Sequence, residues 1–215
     1  MFFEPRAWNL SKEVEAALGG KPPLVIDIFG EINNEMIDPR LERLYSIRPD
    51  QSLLLLINSP GGAMGGLKLA AAIHQLKMPV VALAIGAVYS MALSIYLSVP
   101  KKHRFALKGA TFLAHCRRGG FDLAGVIDLE QGKIRNLTKA ETMRLVGLVW
   151  DDMMKFEKEL IKELTHAIGD PITLGGESVS IEELLRYEVP LSAGIAKRLG
   201  LVHRVVGGLA QVCSG

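Results

Sequence analysis

From Val80 to Val99 the chain runs for twenty residues without a charged side chain, bounded by Lys77 before it and by Lys101 and Lys102 after it. An apolar run of that length is either a membrane span or a strand and a helix buried together in a core. Its internal order favours the second reading. Val80-Val81-Ala82-Leu83-Ala84-Ile85 is a short strand-like run, Gly86 interrupts it, and Ser90, Ser94 and Ser98 then recur at helical spacing. The expectation is a buried strand over 80–85, a tight turn at Gly86, and a buried helix over 90–98, with no membrane association.

Strand-like and helix-like segments alternate on either side of this run. Leu24 to Phe29 reads as a strand and about Asn34 to Ile47 as a helix; Leu53 to Ile57 is a continuous apolar strand ending at Asn58, and Ala63 to Leu76 is a second helix. Short strands are expected at Arg104 to Leu107 and Ala110 to His115. Alternation of this kind, with strands apolar on both faces, predicts an α/β fold whose sheet is mostly parallel. With 215 residues, 49% of them apolar, a single domain over 24–215 has enough material for a full core, with 1–23 as a peripheral N-terminal segment.

The second half begins with a different pattern. Thr138 and Glu141 stand at capping-box spacing, and Met143, Val146, Trp150, Met153, Leu160, Leu164 and Ala167 recur every three or four residues, predicting a helix over about 138–168. At about 1.5 Å per residue such a rod outruns a domain of this size, so part of it is expected to project. A loop at Gly175-Gly176, helices at Ile181 to Tyr187 and Ala193 to Leu199, and a last strand at Leu201 to Val206 complete the reading.

Charge and cysteine content exclude several classes of function. Twenty-five basic and 23 acidic residues give a net charge of +2, without the basic excess of a nucleic-acid binder. Cys116 and Cys213 are too few for a disulfide framework and lack metal-site spacing, which fits a reducing cytoplasm. Met1 to Arg6 carries a charge and a proline where a signal peptide needs its apolar core. Asp151-Asp152, adjacent on a helix, diverge by about 100° and read as a solvated pair, so neither a metal nor a cofactor is expected. His74, His103, His166 and His203 read as structural, His103 within an exposed turn.

Chemistry concentrates where strands end. In Asn58-Ser59-Pro60-Gly61-Gly62 the chain leaves a strand and enters a helix, and two glycines free backbone N–H groups to face a reacting carbonyl. Taken alone this is an ordinary turn. Ser90 opens the next buried helix, where a serine is usually a cap. His115 ends the following strand, where a histidine is usually satisfied structurally. The three segments together offer a nucleophile, a base and oxyanion donors.

Their combination resembles the Clp protease proteolytic subunit family. Ile57-Asn58-Ser59-Pro60-Gly61-Gly62 is similar to its oxyanion-strand motif, Ser90-Met91 to its nucleophile and following residue, and His115 with Gly119-Gly120 to its histidine segment. Leu191-Ser192-Ala193 and Gly200-Leu201-Val202 resemble its C-terminal signature. The likeness spans roughly Leu24 to Val206 in register. It implies a ClpP/crotonase-like fold of stacked βαβ units with a projecting handle helix, and a serine endopeptidase acting on small or unfolded polypeptides inside a homo-oligomeric ring of the kind that can stack in pairs. Ser90 would attack, His115 would take its proton, and the N–H groups of Gly62 and Met91 would hold the oxyanion.

The chain also departs from the family pattern. Glu188 falls where the family usually has an aspartate, with Asp170, Glu182 and Glu183 as alternatives for the acid. Tyr89 and Ala92 flank the Ser90-Met91 pair where smaller residues are usual. The His115-to-Leu191 stretch is some two dozen residues longer than the family norm, and 1–23 does not resemble the segment through which the family docks an AAA+ ATPase of the Clp type. Three other functions stay open: a crotonase-type acyl-CoA enzyme, a Ser-Lys peptidase of the signal-peptide-peptidase type using Lys133 or Lys139, and a catalytically degenerate structural subunit.

Overall fold

The structure is a computed structural model, and the residues it describes are 8–62, 65–115, 155, 158–207 and 210–211. Five strands form the spine of a parallel sheet. They are β2 (Pro23–Phe29), β3 (Ser52–Ser59), β4 (Val80–Tyr89), β5 (Arg104–Leu107) and the late strand Arg204–Val206, which lies outside β5. A short strand, β6 (Thr111–Leu113), runs parallel to the far end of β4, and Leu191–Ser192 pairs antiparallel with β6. Ahead of the sheet come β1 (Trp8–Asn9), which pairs with Ala210–Gln211, and α1 (Lys12–Ala17).

Side chains of the central strands alternate between two cores. Leu53, Leu55 and Ile57 pack beneath α2 (Asn34–Tyr45), α3 (Gly66–His74), α4 (Met91–Leu97) and the helix over 158–168, while Leu54 and Leu56 pack on the opposite face with Val14 of α1 and Leu18, its C-cap. Burial on both faces is why β3 is uninterruptedly apolar rather than alternating with polar residues. The mixed α/β architecture with a mostly parallel sheet expected from the sequence is the one observed. Of the long helix expected over 138–168, residue 155 and residues 158–168 are described as helical; 138–154 lie outside the described residues.

The Val80–Val99 run divides differently from its reading in the sequence. β4 continues through Gly86 to Tyr89, so the turn falls at Ser90 rather than at Gly86, and α4 follows at once. The physical reason is a contact from the neighbouring strand. Asn58 Oδ1 lies 2.3 Å from where a Cβ on Gly86 would be and accepts a hydrogen bond from the Ala87 N–H at 3.0 Å. Here the glycine makes room for a side chain and does not break the strand. Among the described residues, no helix is long and apolar enough to cross a membrane.

Two other segments also differ from expectation. Gly175-Gly176 forms the turn of a hairpin between strands Ile172–Leu174 and Glu177–Val179, whose three residues each are too few to show a period. His103 is half-buried, with Nδ1 3.0 Å from the Val80 carbonyl, not in an exposed turn. Desolvation depresses its ionisation below the usual value near 6.5. The native state then binds fewer protons at this site than the unfolded chain. Stability contributed by neutral His103 should be present above the unfolded pKa and drain away as pH falls through it. Urea unfolding between pH 8 and pH 5 should show a smaller acid-side loss for His103→Gln.

Arg104 is 8% exposed, and it closes the C-terminal end of α4. Nε donates to the Val99 carbonyl (2.6 Å) and Nη2 to the Leu97 carbonyl (2.7 Å), satisfying acceptors that the helix leaves open. Arg104→Met strands both carbonyls in the core. It should cost about 3 kcal/mol in denaturant unfolding, the scale expected for two bonds from a buried charge.

Candidate active site

Each candidate residue owes its place to where a strand stops. β4 and β6 pair Ala87 with Thr111, Val88 with Phe112 and Tyr89 with Leu113. One residue past that ladder, the Ser90 N–H donates to the Leu113 carbonyl at 2.9 Å, and His115 follows Leu113 by two residues. Phe112 and Thr111 pair in turn with Leu191 and Ser192, and Glu188 stands three residues before that strand. One seam of the sheet therefore gathers the serine, the histidine and the glutamate from three distant parts of the chain.

Ser90 occupies the N-cap position of α4, yet its side chain makes no capping hydrogen bond. Its backbone sits at φ 52°, ψ −123°, a conformation that costs a residue with a Cβ of order 1–3 kcal/mol. Such a sharp strand-to-helix turn lifts a side chain out of the sheet end, as a nucleophile elbow does. Serine at a helix start is ordinarily there to cap. Here the hydroxyl is left for other use.

Gly61 and Gly62 lie against this turn. A Cβ on Gly61 (φ 94°) would come within 2.6 Å of Ser90 Cβ and 2.7 Å of the Tyr89 carbonyl oxygen; one on Gly62 (φ 146°) would fall 2.2 Å from the Ile32 carbonyl oxygen. Ile32 in turn donates its N–H to the Gly61 carbonyl at 2.8 Å. The Gly61 N–H is committed to Ser59 Oγ at 3.0 Å. Ser59 is completely buried, and sequence reasoning passed over it, although serine bonding to the backbone two residues on is a known turn signal. Met91 begins α4, so its N–H has no partner within the helix.

His115 Nδ1 and Glu188 Oε1 are 4.0 Å apart, within ion-pair range and beyond a direct hydrogen bond. Glu188 holds the left-handed conformation (φ 50°) that terminates the helix Ile181–Tyr187. The alternative acids are placed elsewhere. Glu183 Oε2 accepts from the Ser180 N–H at 2.9 Å in a capping box, Asp170 Oδ1 accepts from the Ile181 N–H at 3.0 Å, and Glu182 is exposed in the first turn of that helix. The Tyr89 hydroxyl lies 2.8 Å from Thr111 Oγ1 and braces the β4–β6 seam. Lys133, Lys139, Cys116 and Asp151-Asp152 lie outside the described residues.

A groove of about 520 Å³ between α3, α4 and the helix over 158–168 is lined by Leu67, Ala70, Ser94 and Leu160 among others. It touches none of Ser90, His115 and Glu188. Among the described residues no group of three or more His, Cys, Asp or Glu is placed to hold a metal ion.

A profile of the Clp protease family matches residues 24–144, more than half of the chain and including Ser90 and His115. The chain belongs to the Clp protease family. It is similar to the ATP-dependent Clp protease proteolytic subunit of Leuconostoc citreum, 31% identical over 100 residues that make up 45% of this chain and 50% of the relative. It thus spans about half the length of that curated relative. Its fold is similar to that of a ClpP1 point mutant from Listeria monocytogenes, with a TM-score of 0.64 at 20% identity, covering 86% of this chain and 91% of the other.

Proposed function

We propose that this Clp-family protein is a cytoplasmic serine endopeptidase that hydrolyses small or unfolded polypeptides within a homo-oligomeric ring. The observation that carries the reading is Ser90, held at a strained strand-to-helix turn with its hydroxyl not spent on capping. Ser90 Oγ attacks the scissile carbonyl, and His115 takes the hydroxyl proton and returns it to the leaving amine. Glu188 orients the imidazole through Nδ1. The N–H groups of Gly62 and Met91 take the charge of the tetrahedral intermediate, Met91 with the added field of the α4 N-terminus. The 4.0 Å gap between His115 and Glu188 supports a resting geometry that tightens when substrate or a neighbouring subunit arrives.

Tyr187 (68% exposed) and Val189 (38% exposed) bracket Glu188, and this apolar surface beside the acid supports a subunit contact there. The name of the Leuconostoc citreum relative describes an ATP-dependent protease, so a Clp-type ATPase is the partner to test.

The deciding experiment is intact-protein mass after treatment with a fluorophosphonate. A single adduct on the wild-type chain, absent from Ser90→Ala and His115→Ala, is the expected result. Labelling that survives His115→Ala would point to a lysine base such as Lys133 or Lys139. A folded, assembled and unlabelled wild type would favour a structural subunit or an acyl-CoA enzyme. Given labelling, Glu188→Ala should slow it by about 10²–10⁴-fold, the range a general base loses when its orienting partner is gone.

A further inference from the structure

The β3–β4 ladder changes register just before the proposed nucleophile. From Leu53↔Val80 to Ile57↔Ala84 the strands pair residue for residue, and the next pair is Ser59↔Val88. Two steps along β3 therefore correspond to four along β4, and the two extra residues are absorbed over Ile85, Gly86 and Ala87. At the same place β4 changes its outer neighbour. Ala82, Leu83 and Ala84 pair with β5, whereas Ala87, Val88 and Tyr89 pair with β6. An insertion of two preserves which face each side chain takes, so Val88 enters the same core as Ala84, and Ser90 emerges in register with β6.

Asn58 stands opposite this bulge. Its Oδ1 accepts from the Ala87 N–H at 3.0 Å, and its carboxamide fills the space left by the missing side chain of Gly86, 2.3 Å from the ideal Cβ position. The Asn58 carbonyl also accepts from the Gly30 N–H at 3.1 Å, tying the residue back to the end of β2. Asn58 is exposed, so burial in the core does not account for it. Its side-chain oxygen bonds to the segment that carries the proposed nucleophile.

We propose that Asn58 is a positioning residue for Ser90: its carboxamide oxygen pins the two-residue bulge in β4 and so sets where the strand ends and the serine turns. This rests on the peptidase reading, since a register clamp matters to activity only if Ser90 is the reacting group. Asn58 does not touch the reacting atoms. It acts through Ala87 and the three residues that follow, and the Ser90 N–H bond to Leu113 fixes the other end of that short span.

The test compares the second-order rate of fluorophosphonate labelling in the full chain with amide hydrogen exchange at Ala87 and Ser90. Asn58→Ala should slow labelling by about 10–100-fold, the scale of an ångström-level misplacement, while retaining a cooperative unfolding transition. Asn58→Asp, which keeps an acceptor oxygen, should recover most of that rate. Gly86→Ala should displace the carboxamide and slow labelling alone, yet add little in the Asn58→Ala background, where the space is already vacant. Faster exchange at both amides should accompany each slow variant.

Wild-type labelling rates in a folded Asn58→Ala would overturn the proposal, as would an Asn58→Asp as slow as the alanine variant. If Asn58→Ala does not fold, Gly86→Ala decides, and a Gly86→Ala that labels at the wild-type rate overturns it. A wild type that never labels removes the peptidase reading instead. In that case unchanged exchange at Ser90 in Asn58→Ala or Gly86→Ala would show independently that no clamp exists.

Discussion

Ser90→Gly is expected to be inactive and more stable than Ser90→Ala. Removing the hydroxyl takes away the nucleophile, and peptide turnover should fall on the order of 10⁴–10⁶-fold in either variant, as it does when a triad serine is lost. The two replacements differ in the backbone. Ser90 sits at φ 52°, ψ −123°, and alanine keeps the Cβ that makes this conformation unfavourable, whereas glycine does not. Glycine also carries more chain entropy into the unfolded state, which offsets part of the gain, so Ser90→Gly should exceed Ser90→Ala by about 1 kcal/mol in urea unfolding. Equal stability of the two would mean that the turn holds no strain, and the observation carrying the proposed function would go with it.

The same residue shows what was legible in the sequence. A serine opening a buried helix after an apolar strand is visible from spacing alone, and so is the alternation that yields a parallel sheet buried on both faces. The hidden features depend on contacts between distant segments. Gly86 reads as a break because nothing near it in the chain reveals that Asn58 will occupy its side-chain space. Arg104 directly follows Lys101, Lys102 and His103 in the sequence, yet it is buried, with its guanidinium donating to the carbonyls of Leu97 and Val99. Glu188 could be picked only by its offset from Leu191. What separates it from Asp170 and Glu183 is that those two are already engaged with the Ile181 and Ser180 backbone. Turn glycines and apolar runs are local signals; the placement of Glu188 near His115 and of Asn58 against Gly86 follows from tertiary geometry.

Gly61→Ala should do damage out of proportion to the single methyl group it adds beside Ser90. Two costs combine. At φ 94° the backbone is in a region that side chains rarely adopt, and the new Cβ would stand 2.6 Å from Ser90 Cβ and 2.7 Å from the Tyr89 carbonyl oxygen. Neither neighbour is the free end of a flexible chain, so one of the two turns must move. Gly30 offers the control. It has φ 82° with nothing within 4 Å of its ideal Cβ, so Gly30→Ala bears the conformational cost alone, about 1–2 kcal/mol. Gly61→Ala should lose about 3 kcal/mol or more, the excess reporting the collision. Its fluorophosphonate labelling should fall by at least about 10²-fold, because the displaced atoms are those of the elbow itself. Gly30→Ala should label close to the wild-type rate. If the two variants instead lose activity equally, the close approach of the Gly61-Gly62 turn to Ser90 is not what holds the serine in place.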